Sequence, residues 1–313
     1  MTQTGWRARL PVVMGVLAGV AVVVQSRVNG ALELRVHNGV ASAMANFGIG
    51  LVLVSVGVFV LPKPRAAMLT IPAQLRGAKL RWWHLLGGVG GASFIASQSV
   101  SVPAIGVALF TVATVAGQSS SGLLVDRLGL GPGGVRPVSK ARLVAAAMSI
   151  VAVALAVSGR IGTSHSVVAF VGITLAAAVV TSFQQAFNGR VALASSPSVA
   201  ALANFATGFL ALSITVSVMI FGFSQHVSWP SPLAHPALYL GGPLGLFFIT
   251  SAAYVVRSVG VLLFMLTAIA GQLAGALILD VFFPTPGAVV TWQLFSGVIL
   301  TGVAVAIAAL RNN

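Results

Sequence analysis

The chain has 313 residues, 58% of them hydrophobic and only 6% charged, with a mean hydropathy of +1.03. Soluble domains carry about 25% charged residues, so a water-exposed globule is excluded and lipid is the solvent. The net charge of +14 comes from 17 basic against 3 acidic residues scattered between apolar stretches, a membrane-topology pattern rather than a nucleic-acid surface, and the absence of cysteine excludes disulfides, thiolate nucleophiles and Cys-ligated metals.

A helix needs about 20 apolar residues to cross a bilayer. In chain order, ten such spans are predicted at 10–31, 39–61, 83–101, 104–127, 141–159, 166–188, 198–222, 236–255, 258–280 and 289–310. The start, Arg7-Ala8-Arg9 followed by residues 10–24, resembles a signal sequence, but no small-residue cleavage site follows, so it reads as a retained first span. Punctuation falls at Pro62 and Pro64, Pro103, Gly131-Pro132-Gly133-Gly134, Pro197, Pro230 and Pro232, and Pro284 and Pro286. Residues 71–83 are the one plausible interfacial helix, with Arg76, Lys79 and Arg81 at headgroups and Trp82 and Trp83 in the aromatic belt, the plainer reading being a positive-inside loop with a tryptophan anchor. Outer-membrane strands alternate over about ten residues; these runs are too long and unbroken for that.

The sequence states its polar residues twice. Gln25, Asn29-Gly30, Asn46-Phe47 and Gly50 return as Gln184, Asn188-Gly189, Asn204-Phe205 and Gly208. Gly87-Gly88 with Gly91 returns as Gly241-Gly242 with Gly245, and Gly117-Gln118 with Asp126 returns as Gly271-Gln272 with Asp280. The repeat divides the chain into residues 1–160 and 161–313, with five spans in each part. An odd number of spans turns the second copy upside down in the membrane. Loop charge agrees: residues 61–82 carry five basic residues and the counterpart 223–236 carries none. With the N-terminus in the cytoplasm, fourteen basic residues lie inside. They are Arg7, Arg9, Lys63, Arg65, Arg76, Lys79, Arg81, Arg127, Arg136, Lys140, Arg142, Arg190, Arg257 and Arg311. Only Arg27, Arg35 and Arg160 lie outside, which puts both termini in the cytoplasm.

Polar groups in hydrocarbon mark function or helix pairing. Gln118 and Gln272 fall near mid-span and are the candidates to line a central cavity. Gln25, Asn29 and Asn46 fall toward the outer end, and their partners Gln184, Asn188 and Asn204 toward the inner end, where they form candidate gates or bond neighbouring helices. Amides both donate and accept, so such gates could exchange contacts without burying net charge. Asp126, Asp280 and Glu33 are the only acids; with Arg27 they are candidates for ion pairing or for coupling to a proton or ion. No histidine lies mid-span, no His, Asp or Glu set suggests a metal, no phosphate-binding loop is present, and no cofactor is expected.

These elements resemble the YdcZ-like branch of the drug/metabolite transporter superfamily, related to the EamA type, over nearly the whole chain. The resemblance implies an all-α integral membrane protein of ten transmembrane helices in two inverted five-helix repeats, in the bacterial cytoplasmic membrane. It also implies a cavity lined by spans 1, 3, 4, 6, 8 and 9 and transport of a small metabolite or drug. The reading is therefore a secondary active transporter working by alternating access on a neutral, polar or weakly anionic solute, without enzymatic activity, whose partners are that solute and membrane lipid. A passive channel or facilitator is the first alternative, and a lipid-modifying membrane enzyme the second. Ser26-Arg27 facing Gln185-Ala186, and Glu33 facing Ala192, depart from the repeat.

Overall fold

The computed structural model describes residues 3–135, 137–160 and 165–310. The side chains of 3–9, 165, 253–254, 256–263 and 309–310 lie outside that description, so Arg7, Arg9, Arg136, His165, Arg257 and Arg311 do too. The described residues form helices and no strand. They are α1 (Gln3–Val36), α2 (Gly39–Val60), α3 (Pro62–Leu69), α4 (Ile71–Arg76), α5 (Gly87–Ile105), α6 (Val107–Arg127), α7 (Lys140–Ser158), α8 (His165–Ala194), α9 (Pro197–Phe223), α10 (Gly241–Phe282) and α11 (Trp292–Leu310). Short 3-10 turns, Trp82–Leu86 and Pro236–Tyr239, precede α5 and α10. Eight helical segments are long and apolar enough to cross a membrane, and two more, Gly241–Ala252 and Trp292–Ala308, are shorter and apolar.

Three boundaries differ from the sequence reading. The first is at α1 and α8, which run past the expected ends at 31 and 188, so Asn29-Gly30 and Asn188-Gly189 lie inside helices rather than at their mouths. The second is the break after the third span. Pro103 sits in the last turn of α5, and the chain turns at Gly106, whose φ of +83° is a conformation that side chains disfavour. The third is the expected interfacial helix over 71–83, which ends at Arg76; Trp82 and Trp83 belong to the turn leading into α5.

Helical hydrogen bonding in α10 continues through the break expected near residue 256. A straight 42-residue helix would be about 63 Å long, yet both ends of this one meet the same turns of α1. Gly241 lies against Asn29, and the Pro284 carbonyl just past α10 accepts from Arg27. The Phe248 and Phe264 rings are 5.8 Å apart between centroids. The segment therefore doubles back between Ala252 and Phe264 into two arms, both packed on α1.

The core lies around the first half of α6, where every residue from Val107 to Ala116 is buried. The outer faces of α2 and α9 expose Val52, Val56, Phe59, Leu210, Ile214 and Phe221, as lipid requires. Where α1 meets the second arm of α10 the backbones touch. A Cβ on Gly19 would land on the Ala268 carbonyl, and one on Gly271 on the Val16 carbonyl. Small residues permit this approach, which is how helices associate without a hydrophobic driving force. Two ends of the molecule follow. One carries Arg27, Gly106, Gly241 and Asp280; the other carries the Val60–Trp82 connection, Asp126 and Gly189.

Candidate functional site

At the Arg27 end the amides of α1 and α2 form a buried network. The Asn29 side chain donates to Gln98 Oε1 at 2.6 Å and accepts from Asn46 Nδ2 at 2.9 Å. Gln98 donates to the Ser26 hydroxyl, and Ser42 donates to the Asn29 carbonyl. Gln25 donates to the Gly241 carbonyl at 2.9 Å. The start of α10 has no side chains in the way. A Cβ on Gly241 would meet Asn29 and Asn46, one on Gly242 the Asn46 carbonyl and Gly50 nitrogen, and one on Gly245 the Gln25 amide. The cleft beside Asn29, Asn46, Tyr239 and Gly241 leaves no room for even a water molecule, so it is not a ligand pocket. This end is a packed clamp.

The other end repeats the arrangement with roles exchanged. Gln184 and Asn188 of α8 both donate to Asn204 Oδ1 of α9, at 2.8 and 3.0 Å. A Cβ on Gly87 would meet Asn188 Oδ1, one on Gly88 the Asn204 carbonyl and Gly208 nitrogen, and one on Gly91 the Gln184 amide. Each cluster therefore grips the Gly-Gly-x-x-Gly element from the opposite part of the chain. Between the clamps Phe47 and Phe205 meet edge to face, 5.4 Å between centroids. Gly50 leaves room for Phe205, and Gly208 for Phe47. The clamps differ in closure: Gln25, Asn29, Asn46 and Gln98 are all buried, whereas Gln184 and Asn188 are half-buried. Because a methyl at Gly88 would strike the Asn204 and Gly208 backbone as well as the Thr207 hydroxyl, Gly88→Ala should destabilise the protein by about 1–3 kcal/mol, seen as an earlier thermal unfolding transition in detergent.

Gln118 and Gln272 are half-buried near the middle of α6 and of the second arm of α10. Neither makes a side-chain hydrogen bond among the described residues. Each follows a glycine at a helix crossing: Gly117 abuts Leu175 and Ala178 of α8, and Gly271 abuts Val16 of α1. The amides stand beside these contacts without being used in them.

The acids separate. Asp280 is buried and accepts from the backbone nitrogens of Val107 and Ala108 at 2.9 and 2.7 Å, capping α6. Asp126 is partly exposed and pairs with Arg142 of α7 at 2.6 Å. Its sequence neighbour Arg127 points elsewhere, because adjacent helical residues do not face each other. Glu33 is half-buried and has no ion pair among the described residues. Arg27 donates to the Pro284 carbonyl at 3.2 Å. Arg190 donates to the carbonyls of Leu130 and Gly129 at 3.1 and 2.8 Å, and Leu130 is the repeat equivalent of Pro284. The two arginines come from non-equivalent positions, Arg27 facing Ala186 and Arg190 facing Ala31, yet bind equivalent loops.

Several residues escaped the sequence reading. Gln98 is fully buried at the centre of the Arg27-end network, but its counterpart is Ala252, so the repeat gives no echo. Arg160, counted only as an outside charge, is buried and donates to the Ile105 carbonyl at 3.0 Å. Ser97, Thr114, Ser120 and Ser251 carry buried hydroxyls with no partner among the described residues. All four lie on α5, α6 or α10, and Ser97 and Ser251 are repeat equivalents; that pairing was the available signal. No group of three or more His, Cys, Asp or Glu residues among the described residues could hold a metal.

A family model described as "Putative inner membrane exporter, YdcZ" matches residues 10–155 and 169–307. No curated protein matches the chain. Among four matching solved chains, a crystal structure described only as that of a protein superposes with a TM-score of 0.53 at 20% identity, over 97% of this chain and 96% of its own. That likeness concerns the fold alone.

Proposed function

The chain belongs to the YdcZ family of the drug/metabolite transporter superfamily, and from that premise we propose that it is a secondary active transporter of a small organic solute working by alternating access. The eight apolar spans, the two arms of α10 and α11 are read as ten transmembrane helices in two inverted five-helix repeats, residues 1–160 and 161–313. The observation that carries this reading is the reciprocity of the clamps: Gln25, Asn29 and Asn46 grip Gly241, Gly242 and Gly245, while Gln184, Asn188 and Asn204 grip Gly87, Gly88 and Gly91. Inverted repeats build two equivalent ends around one midplane site.

In this reading Gln118 and Gln272 meet the solute at the midplane. Their amides are uncommitted, and the unpaired hydroxyls on α5, α6 and α10 lie on the same set of helices. An unpaired buried hydroxyl costs about 1–3 kcal/mol, a cost that a hydrogen-bonding solute removes. Asp280 caps a helix, Asp126 pairs with Arg142, and Glu33 lies near the end of α1, so no carboxylate stands at mid-span for a strongly cationic solute. A neutral, polar or weakly anionic solute fits. The tight Arg27-end clamp and the looser opposite clamp correspond to a path closed at the Arg27 end.

The distribution of basic residues supports an orientation with the Arg27 end outside and both termini in the cytoplasm. A chain without cysteine makes this testable. Leu34 and Leu193 are repeat equivalents and both exposed. With a membrane-impermeant maleimide on intact cells, Leu34→Cys should be labelled and Leu193→Cys only after permeabilisation. Labelling of both from the same side would overturn the inverted arrangement.

A further inference from the structure

We propose that the Asp280 carboxylate is the pin that holds the Arg27 end shut, and that neutralising it frees the segment after α10 from the α5–α6 turn. Two parts of the chain meet there, and the α5–α6 turn contributes only backbone atoms to the hydrogen bonds. Asp280 is 3% exposed, and its two oxygens take the amides of Val107 and Ala108 at the start of α6. The segment beyond it adds Thr285 Oγ1 donating to the Val102 carbonyl at 3.2 Å and the Gly287 nitrogen donating to the Pro103 carbonyl at 2.7 Å.

Two glycines make the fit. A Cβ on Gly106 would come within 2.7 Å of Asp280 Oδ2, and one on Gly287 would strike the Ala104 carbonyl. Arg27 and Arg160 both act on the Asp280 charge, while Arg27 holds the Pro284 carbonyl and Arg160 the Ile105 carbonyl. Among the described residues the carboxylate is the acid that faces these cations, and it is the counter-charge to the α6 dipole. Without its charge, the cap weakens and the turn loses the negative charge that faces Arg27 and Arg160.

The equivalent acid at the other end is arranged differently. Asp126 is partly exposed and engaged by Arg142, so among the described contacts only one end carries the buried pin. This matches the difference in closure between the two amide clamps. The pin belongs to the alternating path proposed above, but its readout needs no solute, so failure here and failure of the transport reading are separable.

The test uses purified protein in detergent with single cysteines as reporters. Thr285→Cys reports the pinned segment, and Val199→Cys, buried at the opposite end, reports general loosening. Maleimide labelling is measured in the parent, in Asp280→Asn and in Val107→Pro. The last removes one amide that Asp280 accepts, at the helix position where proline is best tolerated, and so covers the case in which Asp280→Asn does not fold. Both variants should label Thr285→Cys at least tenfold faster than the parent, with Val199→Cys unchanged and elution on size exclusion like the parent. A correctly eluting variant that labels Thr285→Cys at the parental rate overturns the pin, as does equal acceleration of both reporters.

Discussion

Replacing Gln118 and Gln272 together with leucine is expected to abolish transport while leaving a folded, monodisperse protein. Neither amide is committed to another side chain among the described residues, and leucine suits a mid-span position, so the fold loses nothing. The solute loses two partners. Each polar group left unpaired in a buried site costs about 1–3 kcal/mol, so the pair should weaken productive binding by about 2–6 kcal/mol, which at 1.4 kcal/mol per factor of ten is about 30-fold or more. Flux of reconstituted protein checks this, with the thermal unfolding transition as the control for folding. A variant that transports normally would remove the two glutamines from the path.

Asn29→Leu should have the opposite signature, a large loss of stability. Asn29 joins Gln98 to Asn46 within a network that is buried at every member. Its removal orphans one lone-pair acceptor on Gln98 and one donor on Asn46. At about 1–3 kcal/mol each, the cost is about 2–6 kcal/mol, well above the roughly 0.6 kcal/mol of a typical polar pair between membrane helices. Asn188→Leu should cost less, because that residue is half-buried and Gln184 still holds Asn204 Oδ1. Parallel unfolding curves in detergent measure the order; equal destabilisation of the two variants would show that the clamps do not differ in closure.

The helical membrane class was readable because apolar runs of about 20 residues permit little else. The polar candidates were readable because they recur. The contacts of Arg160 and Asp280 were hidden because their partners are backbone atoms far along the chain. Arg160 binds a carbonyl at Ile105, and Asp280 binds amides at Val107 and Ala108; neither backbone partner has a side-chain signature. Pro103 drew attention as a breaker although proline is accommodated in the last turn of α5. The turn requires Gly106, whose positive φ is a backbone property that the letter alone does not announce. The doubling of α10 was legible as the break between the spans at 255 and 258; what the sequence did not show is that helical hydrogen bonding continues through it.

Sequence and fold also explain why the gates and the glycine elements had seemed separate features. The amides of one part and the glycines of the other are read independently along the chain, and only the folded protein brings Gln184, Asn188 and Asn204 onto Gly87, Gly88 and Gly91. Glycine there serves close approach, and the amides supply the hydrogen bonds that a side-chain-free helix start cannot.

The central claim, that a solute crosses by alternate opening of two clamped ends, is tested most directly by counterflow. Purified protein is screened against a metabolite library by thermal shift, and a solute that raises the unfolding temperature is loaded inside proteoliposomes. Alternating access predicts that labelled solute outside then accumulates transiently above its equilibrium level, and that Gln118→Leu with Gln272→Leu removes the overshoot. Entry that only follows the gradient, with no stimulation by solute on the far side, would contradict the account and mark an open pore.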